Sequence, residues 1–423
     1  MADYPCMFRL RQHLERPHVA DVQRRVEEAL DPLRLGVKIH AGQSVAITVG
    51  SRGIANVAVI VRAAAAHLKN LGARPFVVPA MGSHGGATAA GQRHVIEQYG
   101  VTESFCGCPI RSSMETVVVC HAREGFPVHF DRQAYEADHV LVCGRVKPHT
   151  RFTGDVESGL MKMLLVGLGK HAGASVYHRA IQDFSFGQIV RSVSGEVLSR
   201  CNIVGGVAIV ENAYDETADI VGVVPSDFEV RERELLSLAR RLMPKLPFDR
   251  ADVLLVDEIG KDISGTGLDT NVVGRKYLDH VSRDDEFPKI KFIAVRGLSR
   301  NSSGNATGLG LVEFCRSGIL QEMDVHATRT NCVTSGHPTA AMIPLHYQTD
   351  REILDAALSM IGLTPAPVAS ILWIQNTLSI AELECSEAYY EEACERPDLQ
   401  VLTRPRALPL DGAGNLPLVS SLF

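Results

Sequence analysis

Apolar runs alternate with helical patterns along most of the chain. In the first half, runs about as long as one strand lie at residues 44–50, 75–80, 114–120, 139–146, 202–212 and 218–225. Helical patterns follow the first two runs, at 54–72 and 86–100. Strands that are apolar along nearly their whole length are typical of a parallel sheet covered on both faces. The pattern therefore predicts an α/β fold built from β-α-β units.

The same alternation restarts after a change of composition. Residues 226–248 have the pattern of a charged connecting helix that opens with polar caps and ends at prolines. Beyond it, strands are predicted at 251–260, 289–297 and 368–376, and helices at 308–317 and 351–361. We therefore expect two Rossmann-like α/β domains with mostly parallel sheets, joined by connecting helices. They are predicted at residues 1–245 and 246–423, with the tail packing back on the second.

The loops that directly follow strands are the places to look for chemistry, because open α/β sheets bind ligands outside the carboxyl ends of their strands. Four such loops are rich in glycine and polar residues: GSRG at 50–53, MGSHGG at 81–86, GRVKPHTRFTG at 144–154 and IGKDISGTGLDTN at 259–271. Glycines in such loops allow a backbone to approach a ligand closely.

Composition and charge exclude several classes of partner. The 423 residues carry a formal net charge of -6 with basic residues spread along the chain, so neither a nucleic-acid surface nor a polybasic membrane segment is expected. The N-terminus lacks the apolar stretch of a signal peptide. The ten cysteines are dispersed without a C-x-x-C pair, which favours a reducing cytoplasm. We expect a cytoplasmic monomer or small homo-oligomer that acts on a small molecule.

Two loop histidines are candidates for acid–base catalysis. His84 lies in MGSHGG and His149 in KPHTRFTG, each after a predicted strand. A single loop histidine is most often a surface residue, but two at neighbouring strand ends suit proton transfer from two sides of one substrate. Arg52, in the GSRG loop, has the planar fork of donors that would bind a substrate carboxylate.

Lys162 stands in the apolar run SGLMKMLLVGLG, followed 16 residues later by His178. A lysine in this setting either extends its amine to solvent along an apolar surface or is desolvated and acts as a nucleophile. Gly167 and Gly169, in GLGKHAG, suggest a phosphate-binding loop, although the segment matches neither the dinucleotide fingerprint nor the P-loop. No histidine spacing of a conventional zinc hydrolase is present.

The predicted strand at 251–260 is followed by many polar residues, which suggests a second wall of the site. Among them Arg275 and Lys276 are candidates for substrate binding. Hydrogen bonding within turns remains an equally good explanation for the aspartates and asparagines of this stretch.

In order and context, these residues resemble the family of nickel-dependent lactate racemases. The resemblance implies a nickel pincer nucleotide, a pyridinium mononucleotide with a thioamide and a thiocarboxylate, whose nickel is bound through a ring carbon and two sulfurs. It implies covalent attachment of this cofactor to Lys162, nickel ligation by His178, and His84 and His149 as the bases for the two enantiomers. It also implies an active site in the interdomain cleft, with residues 1–245 carrying the cofactor and 246–423 closing over the substrate. Separate biosynthetic and insertion proteins would load the cofactor.

The sequence also departs from this family. The interval from His149 to Lys162 is about three residues longer, and VGSRGI replaces the family's acidic segment after the first strand. Val273, Gly274, Arg275 and Lys276 follow the LDTN element where the family has tyrosine, glutamine and lysine. The resemblance therefore implies a 2-hydroxy acid racemase or epimerase without fixing which 2-hydroxy acid is the substrate.

Two alternatives stay open at the level of sequence. An NAD(P)-dependent 2-hydroxy acid dehydrogenase would use a similar fold and one of the loop histidines, but the G-x-G-x-x-G fingerprint does not follow the first strand. A non-catalytic nucleotide or cofactor carrier would need Lys162 and His178 but neither of the two loop histidines.

Overall fold

The computed structural model describes residues 4–51 and 53–422. Contacts divide the chain into two compact units. We call Arg16–Met243 the central unit, and the residues from Pro244 onward, together with the N-terminal segment up to Glu15, the terminal unit.

The described residues form fifteen strands. They are β1 (Met7–Gln12), β2 (Ser44–Val49), β3 (Arg74–Pro79), β4 (Thr116–His121), β5 (Pro127–Asp131), β6 (His139–Arg145), β7 (Ile203–Glu211), β8 (Thr217–Val223), β9 (Arg250–Val256), β10 (Lys289–Val295), β11 (Phe314–Arg316), β12 (Leu345–Tyr347), β13 (Ile371–Ile374), β14 (Glu382–Ser386) and β15 (Leu399–Val401).

They also form fourteen α-helices. These are α1 (Val22–Leu30), α2 (Leu35–Lys38), α3 (Val57–Asn70), α4 (Ala89–Gln98), α5 (Glu103–Cys106), α6 (Arg132–Tyr135), α7 (Leu160–Lys162), α8 (Lys170–Ala180), α9 (Phe186–Arg200), α10 (Phe228–Leu242), α11 (Gly318–Glu322), α12 (Val325–Thr334), α13 (Asp350–Met360) and α14 (Tyr390–Glu395). A π-helical turn, Met163–Gly167, continues α7.

The central unit is built on a five-stranded sheet in the order β3-β2-β6-β7-β8. All neighbouring pairs are parallel except β7 with β8. Alternate residues of β2 belong to different hydrophobic clusters: Val45 and Ile47 pack in one, and Ala46 in the other. The sheet is therefore covered on both faces, which explains why its strands are apolar along their whole length.

The terminal unit contains an eight-stranded mixed sheet in the order β12-β11-β10-β9-β13-β14-β1-β15. Its first five strands are parallel, and the remaining pairings are antiparallel. The tail packs back on this unit, because the amide of Val419 donates to the buried carboxylate of Asp257 at 2.6 Å. Both units are thus α/β with mostly parallel sheets, and the predicted fold class is confirmed.

Two details differ from the sequence-based expectation. We expected residues 1–245 to form one domain, but β1 lies in the sheet of the terminal unit, paired with β14 and β15. The helix predicted at 308–317 is wrong, since this stretch forms a 3₁₀ turn at Leu309–Leu311 and then strand β11. Ala294 pairs with Phe314 there, so tertiary pairing overrides the local helical pattern.

Within residues 4–51 and 53–422, no helix is both long enough and apolar enough to cross a membrane.

Candidate active site

The carboxyl ends of three central strands meet the π-helical turn Met163–Gly167. A Cβ atom added at Gly50, just after β2, would lie 3.9 Å from the Cε atom of Met163. One added at Gly144, in β6, would lie 2.8 Å from the Cγ atom of the same methionine. One added at Gly167 would lie 3.0 Å from the carbonyl oxygen of Ala80, which follows β3. Small residues at these points let the segment that carries Lys162 pack directly against the strand ends.

Three of the predicted residues surround one aromatic side chain, Phe152. The ring of His149 stacks on it with centroids 4.3 Å apart, and the ring of His178 lies 6.4 Å away. The Nζ atom of Lys162 lies 5.7 Å from its centroid, a distance at which a cation interacts favourably with an aromatic face. Phe186 also stacks on this ring, with centroids 4.1 Å apart. The structure thus brings His149, Lys162 and His178 together.

His178 is a neutral imidazole at working pH. Burial, reinforced by the positive charges of Lys162 and Arg151, lowers the pKa of His178 to about 4. A neutral ring nitrogen is the form in which histidine binds a metal ion.

His149 is held in a defined tautomer by its own loop. Its Nδ1 atom accepts hydrogen bonds from the backbone amides of Arg151 and Phe152, both at 3.0 Å. Amides only donate, so Nδ1 is unprotonated and the proton of the neutral ring is on Nε2. The buried carboxylate of Glu157 supports the loop by accepting from the amide of His149 at 2.7 Å and from Arg240 at 2.7 Å.

This geometry predicts that the Nε2–H tautomer of His149 predominates in the unloaded protein. The measurement is a long-range ¹H–¹⁵N correlation spectrum of histidine-labelled protein above the pH at which the ring becomes neutral. The variant His149→Gln assigns the signal. A His149 ring protonated mainly at Nδ1 would contradict the bonds from Arg151 and Phe152.

His84 has a partner of a different kind. It is exposed, and its Nδ1 atom hydrogen-bonds the hydroxyl of Ser51. A hydroxyl both donates and accepts, so it suits either tautomer of His84 as well as the protonated ring. The His84 loop lies against the segment that carries Lys162 and His178, because a Cβ atom added at Gly82 would lie 3.0 Å from Val166 and 3.6 Å from Ala174.

Glu232, from α10, is buried beneath the helix that carries Lys162. Its Oε2 atom accepts from the amide of Met161 at 2.8 Å, and a Cβ atom added at Gly159 would lie 2.4 Å from its carboxyl carbon. Among the described residues, no hydrogen-bond donor reaches its Oε1 atom. Burial raises the pKa of Glu232 to about 7, so it holds a proton well above the usual range of a carboxyl group.

Replacing this carboxyl group by an amide is expected to stabilise the protein at alkaline pH. As the pH rises from 4.5 towards about 7, an unfolded chain releases the Glu232 proton while the folded protein retains it, so the free energy of unfolding falls. Glu232→Gln removes this loss and is expected to be more stable at pH 8 by up to about 3 kcal/mol, but not at pH 4.5. Denaturant unfolding at both pH values measures the difference.

The matched control is Glu234→Gln, on the exposed side of the same helix. A stability difference between Glu232→Gln and wild type that is equal at both pH values would contradict a raised pKa at Glu232.

Gly167 and Gly169 have a packing role, and their predicted contact with a phosphate stays a prediction. Both are buried, and a Cβ atom at Gly169 would lie 2.4 Å from the carbonyl oxygen of Leu165 and 3.0 Å from the ring of Tyr177. Protein atoms fill the space beside both glycines, so these residues allow close packing of the chain.

The three predicted substrate-binding residues, Arg52, Arg275 and Lys276, do not join the cluster around Phe152 among the contacts described. Arg52 lies outside the described residues. Arg275 is buried in the terminal unit, where its guanidinium donates to Glu313 at 2.9 Å and to the carbonyl of Ile290 at 3.1 Å. These partners give it a structural function in place of the predicted one. Lys276 is half-buried, and its proposed contact with substrate stays a prediction.

Sequence reasoning missed Phe152, Glu232 and Lys170. Phe152 is in the same loop as His149, so an aromatic residue three positions after a candidate histidine was the available signal. Lys170 is in the GLGKHAG segment and is buried, which a single sequence does not reveal. Glu232 comes from a helix far along the chain, and its pattern is that of an ordinary charged helix.

Comparison with known proteins places the fold. No family model and no curated protein matches the sequence. Among solved structures, the apoprotein of lactate racemase from Thermoanaerobacterium thermosaccharolyticum is similar with a TM-score of 0.54 and 13% identity, over 88% of this chain and 93% of that chain. The chain has a lactate racemase-like fold. A protein from Thermotoga maritima is similar with a TM-score of 0.49 and 11% identity, over 78% of this chain and 83% of that one.

Proposed function

We propose that this protein is a racemase or epimerase of a 2-hydroxy acid that works with a nickel pincer nucleotide. The observation that carries the proposal is the meeting of His149, Lys162 and His178 around Phe152. These residues follow the strand ends of an α/β sheet, in a lactate racemase-like fold and in the order that the family resemblance implies.

The side chains around Phe152 fit this cofactor. Among the described residues, no group of three or more histidines, cysteines or acidic residues is arranged to hold a metal ion. The pincer group brings three donor atoms of its own and needs from the protein one amine for the thioamide and one imidazole for the nickel. Lys162 would supply the amine, and the neutral ring of His178 the ligand. When bound, the cofactor would accept the α-hydrogen of the substrate as hydride and return it.

His84 and His149 would handle the hydroxyl proton, but not equivalently. His84 is able to take a proton at Nε2, because Ser51 adapts its hydroxyl to the change. His149 presents an Nε2–H donor to a substrate oxygen. To accept a proton at Nε2 it must first move its own proton to Nδ1, which breaks the bonds from Arg151 and Phe152. We therefore propose that His84 is the base in the reaction direction in which proton transfer does not require a rearrangement of His149.

The substrate carboxylate is proposed to bind a cationic side chain, for which Arg52 and Lys276 are separate candidates. Cofactor insertion would require separate loading proteins, and the amine of Lys162 is the group they would modify.

The proposal is tested by expressing the protein together with nickel pincer nucleotide biosynthesis enzymes. Expected results are one nickel per chain, a nucleotide adduct in the intact mass, and racemisation or epimerisation of at least one member of a panel of enantiopure 2-hydroxy acids, followed by chiral chromatography. A lactate racemase loaded in the same cells is the control. Loaded protein that leaves the whole panel unchanged would refute the activity, and oxidation that needs added NAD or NADP would identify a dehydrogenase.

A further inference from the structure

A fully buried lysine, Lys170, lies eight residues after Lys162 and eight before His178. Along one straight helix, Lys162 and His178 would be about 24 Å apart. Both lie beside Phe152, so the chain bends between them. Lys170 itself has a backbone φ of 54°, in the left-handed region that a lysine seldom adopts. It therefore stands at the bend that brings the proposed anchor and the proposed metal ligand together.

The amine of Lys170 connects this bend to the loop of His84. It donates to the carbonyl of Pro79, at the end of β3, and to the side-chain oxygen of Gln92, both at 2.7 Å. The side-chain nitrogen of Gln92 in turn donates to the carbonyls of Gly82 at 2.8 Å and His84 at 3.4 Å.

The lysine fixes the direction of these bonds. An ammonium group has no acceptor, so the oxygen of Gln92 must face Lys170. The amide nitrogen of Gln92 then has to face the carbonyls of the His84 loop. A methionine or leucine at position 170 would fill the same volume but would leave Gln92 able to rotate.

The charge has a buried counterion. The carboxylate of Asp131 lies 3.4 Å from the amine, and both side chains are fully buried. Burial lowers the pKa of Lys170 and raises the pKa of Asp131, so desolvation opposes the charged form of each residue. Buried ion pairs of this kind are poor sources of stability compared with apolar packing, and their best-attested benefit is a defined geometry.

We propose that Lys170 is a positioning residue that holds the His84 loop, through Gln92, in register with the segment bearing Lys162 and His178. The expected effect of Lys170 on catalysis rests on the proposed function. We assign Lys170 no contact with substrate or cofactor.

The experiment compares the wild-type protein with two test variants and one control variant, all in the unloaded state, by hydrogen exchange. Lys170→Met/Asp131→Asn removes the lysine without leaving a buried carboxylate unpaired, and Gln92→Met breaks the link while keeping the ion pair. In both, the loop amides of His84 and Ala87, which donate to Met81 and Ser83, are expected to exchange about tenfold faster than in wild type. The control Arg406→Met/Glu384→Gln removes a buried carboxylate's ion pair in the terminal unit and is expected to leave these amides unchanged.

After loading, both test variants are expected to keep nickel and adduct while their turnover falls about tenfold or more. Unchanged exchange of the two loop amides would overturn the proposal, and so would loss of the adduct, which would make Lys170 part of cofactor attachment. If the wild-type protein proves unable to take up cofactor, the proposed function fails, while the exchange measurement still decides whether Lys170 holds the loop.

Discussion

Lys162→Arg is expected to yield a folded protein with neither nucleotide adduct nor nickel and with turnover at background. Arginine keeps a positive charge over the ring of Phe152, so the cation–π contact, worth about 0.5–1 kcal/mol, and the stability should change little. A guanidinium stays protonated and does not act as the amine nucleophile that forms the nitrogen–carbon bond of a thioamide. The substitution therefore separates a covalent anchor from a lysine that only packs along an apolar surface.

Intact-mass spectrometry and metal analysis measure this result on protein produced with the biosynthetic enzymes. Lys69→Arg, on α3, is the matched control, since its amine bonds only a backbone carbonyl among the contacts described for it and should leave loading intact. Adduct and nickel at wild-type levels in Lys162→Arg would exclude Lys162 as the anchor. His178→Ala provides a second separation, because loss of the nickel ligand should lower nickel content while the adduct mass remains.

His84→Asn is expected to lower turnover by about 10²–10⁴-fold while nickel, adduct and thermal stability stay close to wild type. Asparagine can still hydrogen-bond Ser51, and the His84 side chain is exposed, so the fold loses little. The variant lacks the imidazole that can accept the proton of the substrate hydroxyl without a rearrangement of its hydrogen-bond partners. Chiral chromatography of the product, with loading verified by mass, measures the loss.

His171→Asn is the control for this experiment, because His171 is an exposed histidine on α8, the helix of His178, with no assigned function. A His84→Asn protein that retains more than about a tenth of the wild-type turnover would exclude His84 as a principal acid–base residue.

The strands of the central sheet were predictable because burial on both faces makes them apolar throughout. β2, β3, β6 and β7 lie within a residue or two of the predicted runs. The mixed edge of the terminal sheet was not predictable in the same way. β1 pairs with β14 across most of the length of the chain, and no local pattern records such a partner.

For the candidate site, the sequence predicted which residues lie together but not the contacts that they make. The order of His84, His149, Lys162 and His178 predicted a common site, and the structure gathers three of them around Phe152. The tautomer of His149 could not be predicted from the sequence, because it depends on the directions of two backbone amides. The close packing of the glycines at 167 and 169 against protein atoms was likewise not predictable, because it depends on neighbours distant in the chain or on the other side of a turn.

The bend at Lys170 determines where this chain can tolerate insertions and deletions. A single residue added to a helix turns everything beyond it by about 100°. An insertion between Lys162 and His178 would therefore rotate one of these two residues away from Phe152. It would also withdraw the amine of Lys170 from its acceptors, Pro79 and Gln92. Residues 153–155, in the loop after His149, are exposed and lie outside this helical segment, so an insertion there would not turn Lys162 relative to His178. Homologues should therefore vary in length between His149 and Lys162 and keep the 16-residue interval from Lys162 to His178 unchanged.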